Sequence, residues 1–398
     1  MTDITDTRTF RRKVLYIPGY DPFPPRRYRE LYRRESAAQG RISGFSVRQM
    51  PGGEGADWSV EATMGERRTV TDFQVLTWSD LVRSSMTRSI FLTYLSLVRT
   101  AWIYLASGTF RRLMWLRRGP VLAALYPIAM LLGQLVVALI LATVVGALLG
   151  RLDVPYLHWL GFIPVFLGTL LLFRAQDSRF FAYYLMHDYA WTCRLRGAYG
   201  PELDARVAQF SQIIRDELCR DWDEVLIVGH SSGAYLAVSA VDAVTDLPDR
   251  PVLSLMTLGE VIPMMSFLPN AQALRGALHR MGGRDDVFWL DVTAPGDACS
   301  YALVDPVAVT GVKPTVQTGP LVLSAAFRQS LSDERWQALR WRFFRMHFQY
   351  LCAFDRPGHY DYFSVTAGTQ TLRERFSGVP PSPSRIDEIA SAYTDFAP

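Results

Sequence analysis

Residues 121–149, VLAALYPIAMLLGQLVVALILATVVGALL, contain no charged side chain. Coiled into a helix at about 1.5 Å per residue, this block is longer than the roughly 30 Å hydrocarbon core of a bilayer. Uncharged runs of this length are rare in soluble cores, so the block restricts the fold more than any other stretch. After the short break Gly150-Arg151-Leu152-Asp153, a second apolar run, VPYLHWLGFIPVFLGTLLLF, occupies 154–173. Pro155, His158 and Pro164 weaken it, yet it keeps the length of about 20 residues that a span requires. The expectation is a membrane-spanning helical hairpin, with a buried helix pair in a soluble core as the competing reading.

Arginines set the expected orientation. Arg111, Arg112, Arg117 and Arg118 precede the first run and Arg174 and Arg179 follow the second, while the turn holds only Arg151. By the positive-inside rule both chain ends then face the cytoplasm, giving a multi-pass membrane protein with its polar parts on that side. Upstream, residues 86–118 mix aromatics, leucines and arginines, as suits a helix lying in the headgroup region or, equally, a core helix. The N-terminal MTDITDTRTFRRKV has no apolar run behind its basic residues, so a secretory signal is not expected.

On both sides of the apolar block the pattern changes to alternating strands and helices. KVLYI (13–17), FSVRQM (45–50), TDFQVLTWSDLV (71–82), VLIV (225–228), PVLSLMTLG (251–259) and DVFWLDVTA (286–294) read as strands. PELDARVAQFSQIIRDELCR (201–220) repeats apolar residues at helical spacing, and SGVPPSPSR (377–385) reads as a linker before a short terminal helix. The expected fold class is α/β: a mostly parallel sheet in two parts, residues 1–82 and 181–398, interrupted by a membrane-associated insertion at 83–180. With 42 basic against 38 acidic residues, net +4, there is no basic stripe for nucleic acid. Cys193, Cys219, Cys299 and Cys352 lie far apart and form no metal or disulfide pattern.

Between the VLIV strand and the small-residue run AYLAVSA lies Gly229-His230-Ser231-Ser232-Gly233. A serine between glycines at a strand-to-helix turn is placed with its hydroxyl above the sheet edge, because the glycines carry no side chain to clash there. In this context GHSSG resembles the nucleophile elbow of the α/β-hydrolase superfamily of serine esterases and lipases, over both flanks of the chain but not residues 83–180. The resemblance implies a Ser-Asp-His triad with Ser231 as nucleophile and its partners following in the order acid, histidine.

That order leaves two candidate bases. His158, His187, His230 and His279 lie in the apolar run, before the serine, inside the motif and before the best acid, so His347 in RMHFQYLC and His359 in RPGHYDYF remain. His359 follows a Pro-Gly turn, while the HFQYL segment around His347 is similar to the histidine-bearing end of related membrane hydrolases. For the acid, Asp297 follows a strand on a Pro-Gly turn, whereas Asp291 lies within that strand and Asp305 in a later loop. The oxyanion site needs backbone N–H groups, for which Ser232 after the nucleophile and Gly19-Tyr20 after the first strand are the candidates. Pro18 stands there where many of these hydrolases have His-Gly.

The implied activity is a membrane-bound serine hydrolase that cleaves a lipid or other hydrophobic carboxylic ester and needs no metal or organic cofactor. An acyltransferase or thioesterase using the same residues, and a non-catalytic membrane scaffold, are the alternatives. Acyl chain, head group and oligomeric state are not readable from the residues.

Overall fold

The computed structural model describes residues 8–87, 89–152, 154–245 and 250–396. Residues 1–7 of the polar N-terminal stretch and Asp153 of the break lie outside them. The strands are β1 (Phe10–Ile17), β2 (Ser46–Pro51), β3 (Trp58–Met64), β4 (Arg67–Val75), β5 (Glu224–His230), β6 (Val252–Leu258), β7 (Val287–Thr293) and β8 (Leu321–Ser324). They form one sheet in the order β2-β3-β4-β1-β5-β6-β7-β8. β3 runs antiparallel to both neighbours and every other pairing is parallel.

The helices that frame this sheet begin with α1 (Arg26–Ser43), α2 (Ser79–Ser85), α3 (Ile90–Ala106), α4 (Thr109–Leu116) and α5 (Arg118–Gly150). They continue with α6 (Leu157–Ala175), α7 (Asp177–Phe180), α8 (Ala182–Cys193), α9 (Pro201–Leu218) and α10 (Gly233–Asp242). Central strands bury both faces. In β1, Leu15 and Ile17 join the core with Phe210 and Ile214 of α9 and Leu236 of α10, while Val14 and Tyr16 join Tyr28 and Tyr32 of α1. Two-sided burial explains why these strands are almost wholly apolar. A charged tie closes the other end of the sheet: Arg12 Nε lies 2.6 Å from Glu224 Oε2, both side chains fully buried. Its remaining donors reach Gly368 and Gln370 carbonyls, and Glu224 Oε1 accepts from Ser254 and from the Leu372 N–H. Removing one partner from such a pair costs about 3–5 kcal/mol, because the other charge stays buried.

Two expectations about elements need correction. The strand expected over 71–82 stops at Val75, and Ser79–Ser85 is helical. Asp80 sits in the first turn of that helix, where a carboxylate favours the helix start, and Arg206 grips it at 2.7 and 2.8 Å. No terminal helix follows the linker among the described residues: Ile386 pairs with Val304 as a bridge, so backbone groups there are spent on docking the tail. Strands β3 and β8 escape a sequence reading, the latter with only four residues.

Helices α5 and α6 are long and apolar enough to cross a membrane. Along α5 the buried residues Pro127, Leu131, Gln134, Ala138, Ala142 and Gly146 form one stripe, and most of the remaining circumference is apolar and exposed. Each exposed Leu, Ile or Val costs about 1.5–3 kcal/mol of forgone burial in water, a cost that lipid removes. The pair packs closely where glycines allow it. A Cβ on Gly146 would come within 3.1 Å of the His158 carbonyl oxygen, and one on Gly161 would overlap Leu149. The 86–118 stretch is two helices broken at Gly108, which has φ 71°. Its longer part, α3, has two faces: Leu97, Ile103 and Tyr104 pack inward, while Phe91, Leu95, Val98, Trp102 and Leu105 form an exposed apolar stripe.

Candidate active site

β1 lies between β4 and β5, so the chain leaves its carboxyl end toward one side of the sheet and returns on the other. Such a reversal opens a crevice outside the carboxyl ends of the two strands. Gly19 and Tyr20 follow β1 there and Ser231 follows β5. Ser231 adopts φ 57°, a left-handed conformation that costs a non-glycine residue on the order of 1–3 kcal/mol. It is held by its N–H donating to the Leu258 carbonyl at 2.9 Å and by close backbone approach at the flanking glycines. A Cβ on Gly229 would lie 2.7 Å from the Ala237 Cβ, and one on Gly233 would lie 2.5 Å from the Pro18 carbonyl oxygen. A Cβ on Gly19 would lie 3.3 Å from Ser231 Oγ, in the space beside the hydroxyl.

His347 ends the short helix Phe343–His347, and its Nδ1 lies 2.7 Å from Asp297 Oδ2. Asp297 is buried on the turn after β7, where its Oδ1 accepts from the Cys299 N–H at 2.9 Å and Oδ2 from the Tyr350 hydroxyl at 3.1 Å. Burial pushes this carboxyl up, but His347, with hydrogen bonds from the Cys299 N–H and Ser300, outweighs it and holds the pKa below the ordinary value. An ionised Asp297 fixes the Nδ1–H tautomer of His347 and leaves Nε2 as an acceptor. Gly259, at φ 53°, permits this arrangement: a Cβ there would meet Tyr350 at 2.6 Å and His347 Cε1 at 3.1 Å. His230 packs against His347 with ring centroids 4.8 Å apart and donates from Nε2 to the His347 carbonyl at 3.0 Å. Burial, with His347 adding to it, pushes the His230 pKa down to about 3, so this imidazole stays neutral.

Ser231, His347, Gly19, Tyr20 and Ser232 line one cavity of about 1620 Å³. Among the described residues, the backbone N–H groups of Tyr20 and Ser232 donate to no protein acceptor. The loop carrying Tyr20 is nonetheless fixed: Trp78 Nε1 donates to the Pro18 carbonyl at 2.8 Å and the Tyr184 hydroxyl to the Tyr20 carbonyl. The other candidates lie apart. His359 is exposed on a surface loop and does not line the cavity. Asp291 is buried within β7, accepting from Thr257 at 2.6 Å, and Asp305 caps the helix Pro306–Thr310.

Sequence reasoning passed over three site residues. Tyr350 lies in the HFQYL segment and Gly259 closes a predicted strand, so both had a local signal. Asp188 of α8, also on the cavity wall, had none. Asp297, Cys299 and His347 bring one potential ligand atom each within 4.8 Å of one another, the metal-capable group found among the described residues. Those donors are already engaged: the imidazole and carboxylate hydrogen-bond each other, and burial, with Asp297 adding to it, raises the Cys299 thiol so that it keeps its proton. Scans against known protein-family models, curated proteins and solved structures find nothing that matches this chain.

Proposed function

We propose that the chain is a membrane-anchored serine hydrolase of the α/β-hydrolase type that cleaves a lipid or other hydrophobic carboxylic ester. The observation that carries this reading is His347, hydrogen-bonded to the buried Asp297, lining the same cavity as Ser231 on its strained turn. His347 Nε2 takes the Ser231 proton while Oγ attacks the ester carbonyl, and Asp297 stabilises the imidazolium that forms. The Tyr20 and Ser232 N–H groups stabilise the oxyanion. Collapse expels the alcohol with a proton from His347, and water then releases the acyl group by the same steps.

The membrane part of the reading rests on α5 and α6 as a spanning hairpin, with Arg117, Arg118 and Arg174 at its cytoplasmic end. Pro120 near the start of α5 and Arg174 near the end of α6 both line the cavity, which supports entry of substrate from that face of the bilayer. In this reading residues 1–82 and 181–398 build the catalytic domain and 83–180 the membrane-associated insertion.

A fluorophosphonate probe tests the chemistry on the full chain in detergent. Ser231 is expected to be labelled, and Ser231→Ala and His347→Ala to lose about three or more orders of magnitude of ester hydrolysis with the fold retained. His359→Ala is expected to stay near wild type. Wild-type turnover by Ser231→Ala overturns the mechanism, and absent labelling of a folded wild-type chain favours a scaffold.

A further inference from the structure

Asp188 projects from α8, the first long helix after α6, and borders the cavity that Ser231 and His347 share. Protein encloses it otherwise, and its Oδ1 is buried without a hydrogen-bond partner among the described residues. The groups facing it are His347, Cys299, Tyr20 after β1, Tyr104 of α3, Tyr235 of α10, and Tyr184 and Tyr189 of its own helix. Among the described residues no arginine or lysine forms an ion pair with it. Three of the tyrosines spend their protons elsewhere: Tyr20 on Ser85, Tyr104 on the Met264 carbonyl and Tyr184 on the Tyr20 carbonyl. Burial without an ion-pair partner among the described residues makes the protonated acid, which carries one O–H donor, the favoured form.

We propose that Asp188 is a specificity-determining residue that donates a hydrogen bond to an uncharged oxygen of the substrate's alcohol portion. The substrate class it selects is the neutral hydroxyl-bearing ester, such as a monoacylglycerol. This assignment rests on the serine-hydrolase reading. A free hydroxyl satisfies the acid's O–H, which otherwise stays unpaired in the cavity wall. Consistent with this, burial pushes the Asp188 pKa up to about 7, with His347 opposing.

The test compares kcat/KM for a monoacylglycerol and for the methyl ester of the same acid, using the full chain in detergent. Asp188→Leu is expected to lose about tenfold or more on the monoacylglycerol, the scale of one hydrogen bond, and much less on the methyl ester. Asp188→Asn keeps an uncharged donor and is expected to restore most of that loss. As pH rises from about 6 to 8.5 the wild-type preference for the monoacylglycerol is expected to fall while that of Asp188→Asn holds, because only the acid ionises. Equal losses on both esters, or an Asn variant as impaired as the Leu variant, overturn the assignment. Probe labelling of Ser231 in all three proteins separates the two readings. Labelled proteins without discrimination remove the role of Asp188 alone, and an unlabelled wild type removes the hydrolase reading with it.

Discussion

Ser231 shows how much one residue's conformation depends on its neighbours. Its left-handed turn is stable because Gly229, Gly233 and Gly19 leave space that any side chain would fill, and that need was legible in the GHSSG motif itself. Asp297 was legible too, as a carboxylate just past a strand. The choice of His347 over His359 was not, because a hydrogen bond across 50 positions in the chain depends on how two loops meet. Asp188 was invisible for the same reason. Another pair of acids yields a pH prediction. Burial, partly offset by Thr257, pushes the Asp291 pKa up to about 8, and Glu260 beside it is also raised by burial. As pH rises past the ordinary value of about 4 the unfolded chain ionises Asp291 before the folded chain does, so stability falls between there and pH 8. Asp291→Asn removes that titration, so its melting temperature relative to wild type is expected to rise from pH 5 to pH 8. A difference that stays constant with pH contradicts a protonated Asp291.

At the scale of elements, the uncharged block announced α5 and α6 because a long apolar helix has few ways to satisfy itself in water. How the two helices meet was set by small residues whose contacts lie across the pair. Gly146 faces Phe162, and a Cβ on the glycine would lie 3.4 Å from the Phe162 Cβ, near the range of about 3.5–4.5 Å that a disulfide spans. With the exposed native Cys219 replaced by serine, the double variant Gly146→Cys, Phe162→Cys is expected to lose both new thiols to maleimide after mild oxidation. Gly133, which has open space around its Cβ position, provides the control: a cysteine there with Phe162→Cys is expected to stay reduced. Persistent labelling of the first pair shows that the helices do not pack in this register. α3 could not be assigned from periodicity alone, since an exposed apolar stripe and a buried one look alike in a sequence. The positions of α8, of α5 and of the 261–268 segment decided which face was left open.

For the whole molecule, the sheet joins strands from both sides of the apolar block, β1 pairing with β5 along its length. A chain in which residues 119–174 are replaced by a short flexible linker is therefore expected to keep the sheet. It is expected to be extracted from membranes by alkaline carbonate, which the full chain is expected to resist, and to lose hydrolysis of long-chain esters much more than of short soluble ones. Carbonate resistance in the trimmed chain means that α5 and α6 are not the anchor, and unchanged long-chain activity removes the support they lend to a lipid substrate. The sequence by itself determined the α/β alternation, the two long apolar helices and the strained serine turn, because each follows from local periodicity, hydration or steric fit within a few neighbouring residues. Tertiary structure alone decided which histidine meets Asp297, which face of α3 stays uncovered and that Asp188 looks into the cavity, because those outcomes depend on contacts between segments far apart in the chain.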